Sequence, residues 1–144
     1  MRPKTKAIAL DIYGTVLCSD DHDNELPPRT GLAEFILRAK GFGIKVISTS
    51  DAYLTNVKLD LEATFKGRVP LGLEVFDGFY QLSMKPKNYS QVISDFAIQP
   101  EELLIIGNDW INDFAGAPSF SSRILVPSYM EIYDKFDFSK LVIP

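Results

Sequence analysis

The stretch AIALDIYGTVL, residues 7–17, decides how the rest of the chain is read. Ala7–Ile12 is an apolar run with polar flanks, the pattern of a central parallel strand buried on both faces. Asp11 stands at the end of that run, and Gly14-Thr15 makes a turn directly after it. A carboxylate at the mouth of a buried strand is costly unless something uses it. It can serve as a nucleophile or as a metal ligand. Tyr13 sits between the aspartate and the turn.

Outward from this stretch, strands alternate with helices. Residues 18–28, CSDDHDNELPP, read as an acidic loop or short flap. Thr30 is placed to cap a helix over roughly Leu32–Lys40, with Leu32, Phe35, Ile36 and Ala39 on one face and Gly41 and Gly43 stopping it. Ile44–Ser48 reads as the second strand. Ser50 or Asp51 is placed to cap a second helix carrying Leu54, Val57, Leu61 and Phe65. Residues 70–83 hold one or two short strands, and Tyr89–Phe96 a third helix. Leu103–Gly107 is another buried strand, a helix starts at Ile111–Ala117, and Arg123–Val126 is a last strand. Such alternation predicts an α/β fold: a doubly wound, Rossmann-like parallel sheet with helices on both faces. Ligands of such sheets bind beyond the carboxyl ends of the strands. Three polar clusters fall at those ends: Asp11, the run Ser48-Thr49-Ser50, and Asn108-Asp109 with Asp113.

Several carboxylates gathered together repel unless a cation joins them. Mg²⁺ suits such a place, because it takes oxygen ligands, keeps waters and bridges to phosphate. Hydroxyls of Ser48, Thr49 and Ser50 could hold phosphate oxygens, and Lys85, in the turn before Pro86, could neutralise them.

The order of these residues resembles the haloacid-dehalogenase-like (HAD) hydrolase superfamily, across nearly the whole chain. DIYGTV at Asp11–Val16 resembles its first motif, and KVISTS its second, with Thr49 preferred and Ser48 next. Lys85-Pro86 resembles the third and IGNDWINDFAGA the fourth. Any one string occurs by chance, but four in order are specific. The resemblance implies a HAD-like domain, residues 1–144, and an aspartyl-phosphate formed on Asp11. It implies Mg²⁺ held by Asp11, the backbone carbonyl of Tyr13, and Asp109 or Asn108, with Asp113 a ligand or an acceptor behind them. Thr49 and Lys85 would grip the phosphoryl group, and Gly14, Thr15, Ser48, Ser50 and Asn108 would contact the substrate.

Tyr13 departs from the phosphatases of that family, which carry a second aspartate there as general acid and base. A phenol, with an unperturbed pKa near ~10, is a poor base at neutral pH. Losing such a group typically costs about 10²–10⁴ in rate. Three readings follow: a slow or specialised phosphatase that takes good leaving groups or borrows an acid from elsewhere, a haloacid dehalogenase, and a HAD-fold protein that binds without turnover. Tyrosine at this place resembles the dehalogenases, whose halide leaves unprotonated. Thirty-eight positions separate Asp11 from Thr49 and 36 separate Thr49 from Lys85. Neither gap leaves room for an inserted cap domain to enclose a small substrate, which ranks phosphatase chemistry first. An uncapped site admits bulky phosphorylated substrates or is closed by another subunit of a homo-oligomer. Receiver domains of response regulators also phosphorylate an aspartate, but on a middle strand, and the order here does not follow theirs.

The bulk numbers set the boundaries. The chain has 144 residues, enough for one core, and a formal charge of −4, which argues against a nucleic-acid partner. Cys18 is the only cysteine, so no disulfide framework exists and a cytoplasmic setting is expected. No stretch reaches the ~18 apolar residues of a membrane span. His22, flanked by Asp21 and Asp23, is ordinarily a loop residue, although it could swing in as an acid. Trp110 reads as packing or as the rim of the site, and Cys18 as a spectator. The tail carries Tyr129, Tyr133, Phe136 and Phe138, which finish the core or cover a neighbour.

Overall fold

The computed structural model describes residues 2–18, 27–127 and 136–144. Most of the acidic flap with His22, and Tyr129 and Tyr133 of the tail, lie outside the described residues.

Five strands run parallel: β1 (Ala7–Leu10), β2 (Lys45–Ser50), β3 (Gly78–Gln81), β4 (Leu103–Gly107) and β5 (Ser122–Leu125). Their order is β3-β2-β1-β4-β5. Parallel neighbours need crossovers, and α1 (Leu32–Gly41), α2 (Leu54–Phe65) and α3 (Ser90–Phe96) supply the first three. The chain builds β1, β2 and β3 outward in one direction, then returns to lay β4 on the other side of β1. The loops after β1 and β4 therefore diverge and open a crevice between them.

β1 and β4 are buried on both faces, so their side chains divide by parity. Ile8, Leu10, Leu104 and Ile106 face one core with Phe35 and Ile36 of α1 and Val57 and Leu61 of α2. Ala7, Ala9, Leu103 and Ile105 face the other, with Tyr89, Val92 of α3 and Phe114. The helices thus cover both faces, as the alternating pattern predicts.

The element ends depart from expectation for local reasons. β1 stops at Leu10, because the Ile12 carbonyl accepts the N–H groups of Thr15, Val16 and Leu17 and the chain coils there. Gly31, not Thr30, stands at the start of α1, with φ 77°. A side chain at Gly31 would also collide with Asp137 and Ser139 of the C-terminal segment. The Thr30 carbonyl accepts from the Phe138 N–H instead. β2 runs to Ser50, two residues beyond the expected end, so Ser50 and Asp51 do not cap α2; Tyr53 precedes that helix. The helix expected from Ile111 is one π-helical turn, Trp110–Phe114. Among the described residues no helix is long and apolar enough to cross a membrane.

Candidate active site

Asp11 leaves β1 with its N–H still bonded to the Ile106 carbonyl, 2.9 Å away, which fixes it to the sheet. Its Oδ2 accepts from the Thr15 hydroxyl at 2.9 Å. That hydroxyl also lies 3.4 Å from Asn108 Oδ1, so the turn after β1 holds the turn after β4 beside the carboxylate. Gly14 makes this approach possible. Its φ is 81°, and a Cβ there would strike the Asn108 amide. The Gly14 carbonyl is clamped by Arg29 Nη1 at 2.7 Å, whose Nη2 reaches the Pro127 carbonyl at 2.6 Å.

Behind Asp11 stands Lys87, 0 % exposed. Its ammonium donates to Asp11 Oδ1 at 2.8 Å, to the Thr49 carbonyl at 2.8 Å and to Asp113 Oδ1 at 2.6 Å. All three donors are used, so the buried charge is hydrogen-bonded in full. Asp113, 1 % exposed, also accepts the Asp109 N–H through Oδ2 at 3.0 Å. Lys87 is itself held by its N–H on the Asn112 carbonyl at 2.9 Å. The Tyr89 hydroxyl donates to the Asp113 carbonyl at 2.8 Å and ties α3 to the same turn.

The electrostatics follow from burial. Burial pushes the Asp11 carboxyl up to about 6; Lys87 offsets part of that, and Asp113 adds repulsion. Lys87 thus works against burial to favour the ionised carboxylate. Burial alone would lower the Lys87 ammonium, but two carboxylates raise it above its usual value, so it stays charged.

In front of Asp11 opens a cavity of about 580 Å³, lined among others by Tyr13, Ser50, Asp60, Asn108, Asp109 and Asp113. The Tyr13 hydroxyl donates to Asp60 Oδ2, from the side of α2. The Asp109 carboxylate spends Oδ1 on the Ile111 and Asn112 N–H groups, both at 3.0 Å, and so starts the π-helical turn.

No family model and no curated protein matches this sequence. Solved structures do. The chain superposes on the N-terminal part of a Bacteroides fragilis protein containing a phosphatase domain, complexed with Mg, with TM-score 0.71 and 15% identity; the match covers 85% of this chain and 36% of that one. A mutant CbbY from Rhodobacter sphaeroides, in complex with xylulose-(1,5)bisphosphate, gives TM-score 0.70 and 16% identity over 95% and 96% of the two chains. L-2-haloacid dehalogenase from Xanthobacter autotrophicus, with chloropropionic acid covalently bound, gives 0.61 and 14% over 85% and 77%. The fold is HAD-like.

Within the HAD-like sheet the expected residues fall as follows. Asp11, Tyr13, Ser50, Asn108, Asp109 and Asp113 meet at the cavity, with Gly14 and Thr15 beneath. Lys85 does not join them. It is exposed, and the lysine against Asp11 is Lys87. The reason is anchoring: Lys87 is tied to the π-helical turn, whereas Lys85 precedes that tie. Thr49 is also displaced. Successive residues of a strand point to opposite faces, and with β2 running to Ser50 it is Ser50 that lines the cavity. Thr49 contributes its carbonyl; its hydroxyl and that of Ser48 are buried, with no hydrogen-bond partner among the described residues. Trp110 is exposed and packs edge-on against Phe114, 5.4 Å between ring centres, and Cys18 is buried.

Sequence reasoning missed Lys87, Arg29 and Asp60. Lys87 had a signal, since SMKPKNYS offers two lysines. Arg29 and Asp60 had none, because their partners are a loop carbonyl and a tyrosine brought near only by the fold.

Proposed function

We propose that the protein is a Mg²⁺-dependent phosphatase that transfers the phosphoryl group to Asp11 and hydrolyses the aspartyl-phosphate. The observation that carries this reading is Lys87, buried and fully bonded, holding the Asp11 carboxylate at the floor of an open cavity. Structures with the same fold include a phosphatase domain complexed with Mg and a protein in complex with a sugar bisphosphate.

The donors fit Mg²⁺. Among the described residues no three Asp, Glu, His or Cys side chains form a metal cluster by themselves. Mg²⁺ needs only one or two carboxylates, with waters and substrate phosphate completing its shell. Asp11 and the neighbouring Asn108 amide oxygen are the residues that would hold it, with the Tyr13 carbonyl as a third oxygen. Asp109, whose carboxylate already caps the π-helical turn, ranks behind Asn108. Bound there, Mg²⁺ supplies positive charge against the transferring phosphoryl oxygens.

The chain's own residues do the rest. Asp11 attacks phosphorus, while Lys87 holds its Oδ1 and favours the carboxylate form. Ser50 hydrogen-bonds a phosphoryl oxygen. Asp113 keeps Lys87 in place. The cavity is uncapped on this reading and admits bulky phosphorylated substrates. A haloacid dehalogenase is disfavoured, because its small substrate needs an enclosed, dry pocket and this cavity is open.

Hydrolysis of acetyl phosphate and an aryl phosphate tests the reading. Turnover is expected to require Mg²⁺, to stop with a chelator, and to vanish in Asp11→Asn. A folded, Mg²⁺-binding protein with no turnover on either would favour the binding-only alternative.

A further inference from the structure

The hydrogen bond from Tyr13 to Asp60 has a chemical consequence. A phenol owns one proton, and here that proton points at Asp60 Oδ2 on α2. Toward the cavity, which both side chains line, the phenolic oxygen is then an acceptor. Such an oxygen cannot protonate a leaving group, but it can receive a proton from water while passing its own to the carboxylate behind it. Resting on the phosphatase reading above, we infer that Asp60, acting through Tyr13, is the base of the hydrolytic half-reaction.

The step balances. Water oxygen forms a bond to phosphorus, and the bond between phosphorus and the Asp11 oxygen breaks, leaving Asp11 as a carboxylate. One water proton goes to the Tyr13 oxygen, the Tyr13 proton goes to Asp60, and Asp60 later releases it to solvent. Nothing is oxidised or reduced. The first half-reaction gains no acid from this pair. The preferred substrates are therefore those whose leaving group departs without a proton, such as acyl phosphates and phosphates of acidic alcohols or phenols.

The test separates the two halves. With Mg²⁺ and acetyl phosphate, formation and decay of the phosphorylated chain are followed by intact mass after a rapid quench. In Asp60→Asn, whose amide oxygen still accepts from Tyr13, formation is expected at the unaltered rate and decay about 10²-fold slower, so the phosphorylated chain accumulates. Tyr13→Phe is expected to do the same. Unchanged decay in Asp60→Asn overturns the inference and leaves the phosphatase reading standing. Equal slowing of both halves overturns it too, since that marks a structural role. If the unaltered chain is never phosphorylated, both readings fall together. A second readout needs no metal: with ¹³C at the tyrosine Cζ, the Tyr13 signal is expected to shift in Asp60→Ala, and an unchanged signal contradicts the pairing.

Discussion

Lys87 balances the charge of the site, and its replacement is the sharpest residue-scale experiment. Lys87→Met keeps much of the volume and leaves two carboxylates, Asp11 and Asp113, buried without their cation. Breaking a buried pair this way costs about 3–5 kcal/mol. Chemical denaturation should show that loss, and turnover should disappear. Lys85→Ala, at an exposed position, should change stability by no more than about 0.5 kcal/mol. If the two variants exchanged these outcomes, the placement of Lys87 would be wrong. At the same scale, Tyr13→Asp should raise turnover of alkyl phosphates by about 10²-fold or more, because it restores an acid beside the leaving group. Some of this scale was legible beforehand. Asp11, Asn108 and Asp113 were named from their positions at strand ends. The choice between Lys85 and Lys87, or Thr49 and Ser50, was not legible. Each pair differs only in which neighbour turns inward, and that depends on where a strand stops and on a tie to a distant turn.

Asp77, just before β3, joins elements. Its Oδ2 accepts from the Lys40 ammonium of α1 and, at 2.8 Å, from the Val46 N–H of β2. Burial would raise this carboxyl, but the Lys40 and Val46 donors outweigh it and hold it below its usual value. A depressed carboxyl stabilises the fold above its unfolded pKa, near ~3.9, and the benefit fades as pH falls through the lower folded value. Asp77→Asn should therefore cost stability at pH 7 and converge with the unaltered protein as pH drops below about 3.9. The pair is partly solvent-screened, so the difference at pH 7 should be no more than about 1 kcal/mol, measured by denaturation across pH. The C-terminal segment matters more. Phe138 is fully buried and lies 5.3 Å from Phe35 of α1, and Arg38 donates to the Ser139 and Leu141 carbonyls. Phe138→Ala should destabilise by about 3–5 kcal/mol in the same assay. Of the two readings the sequence left open for the tail, Phe138 takes the one that completes the core. Elements with strong periodicity were legible, Leu103–Gly107 with its bounds intact. Their caps were not. The start of α1 at Gly31 depends on the C-terminal segment, far along the chain, and the π-helical turn depends on the Asp109 carboxylate.

Across the whole molecule, strand order accounts for the site. β1 and β4 are neighbours whose onward connections diverge, so the residues after each face a common crevice. Alternating strands and helices implied the parallel sheet; the crossing order that puts β1 in its centre lies in no local pattern. The cavity wall is acidic, with Asp51, Asp60 and Asp109 beside Asp11 and Asp113, while the balancing lysine stands behind the floor. That distribution favours a divalent cation beside Asp11 and disfavours substrates with many uncompensated negative charges. Everything proposed about the chemistry converges on one atom group, the Asp11 carboxylate. The direct measurement is to incubate the protein with Mg²⁺ and acetyl phosphate, quench in acid, and locate the phosphoryl group by peptide mapping. The account predicts phosphate on Asp11 and none in Asp11→Asn. Phosphate on another aspartate, or none on a folded protein that binds Mg²⁺, would contradict it.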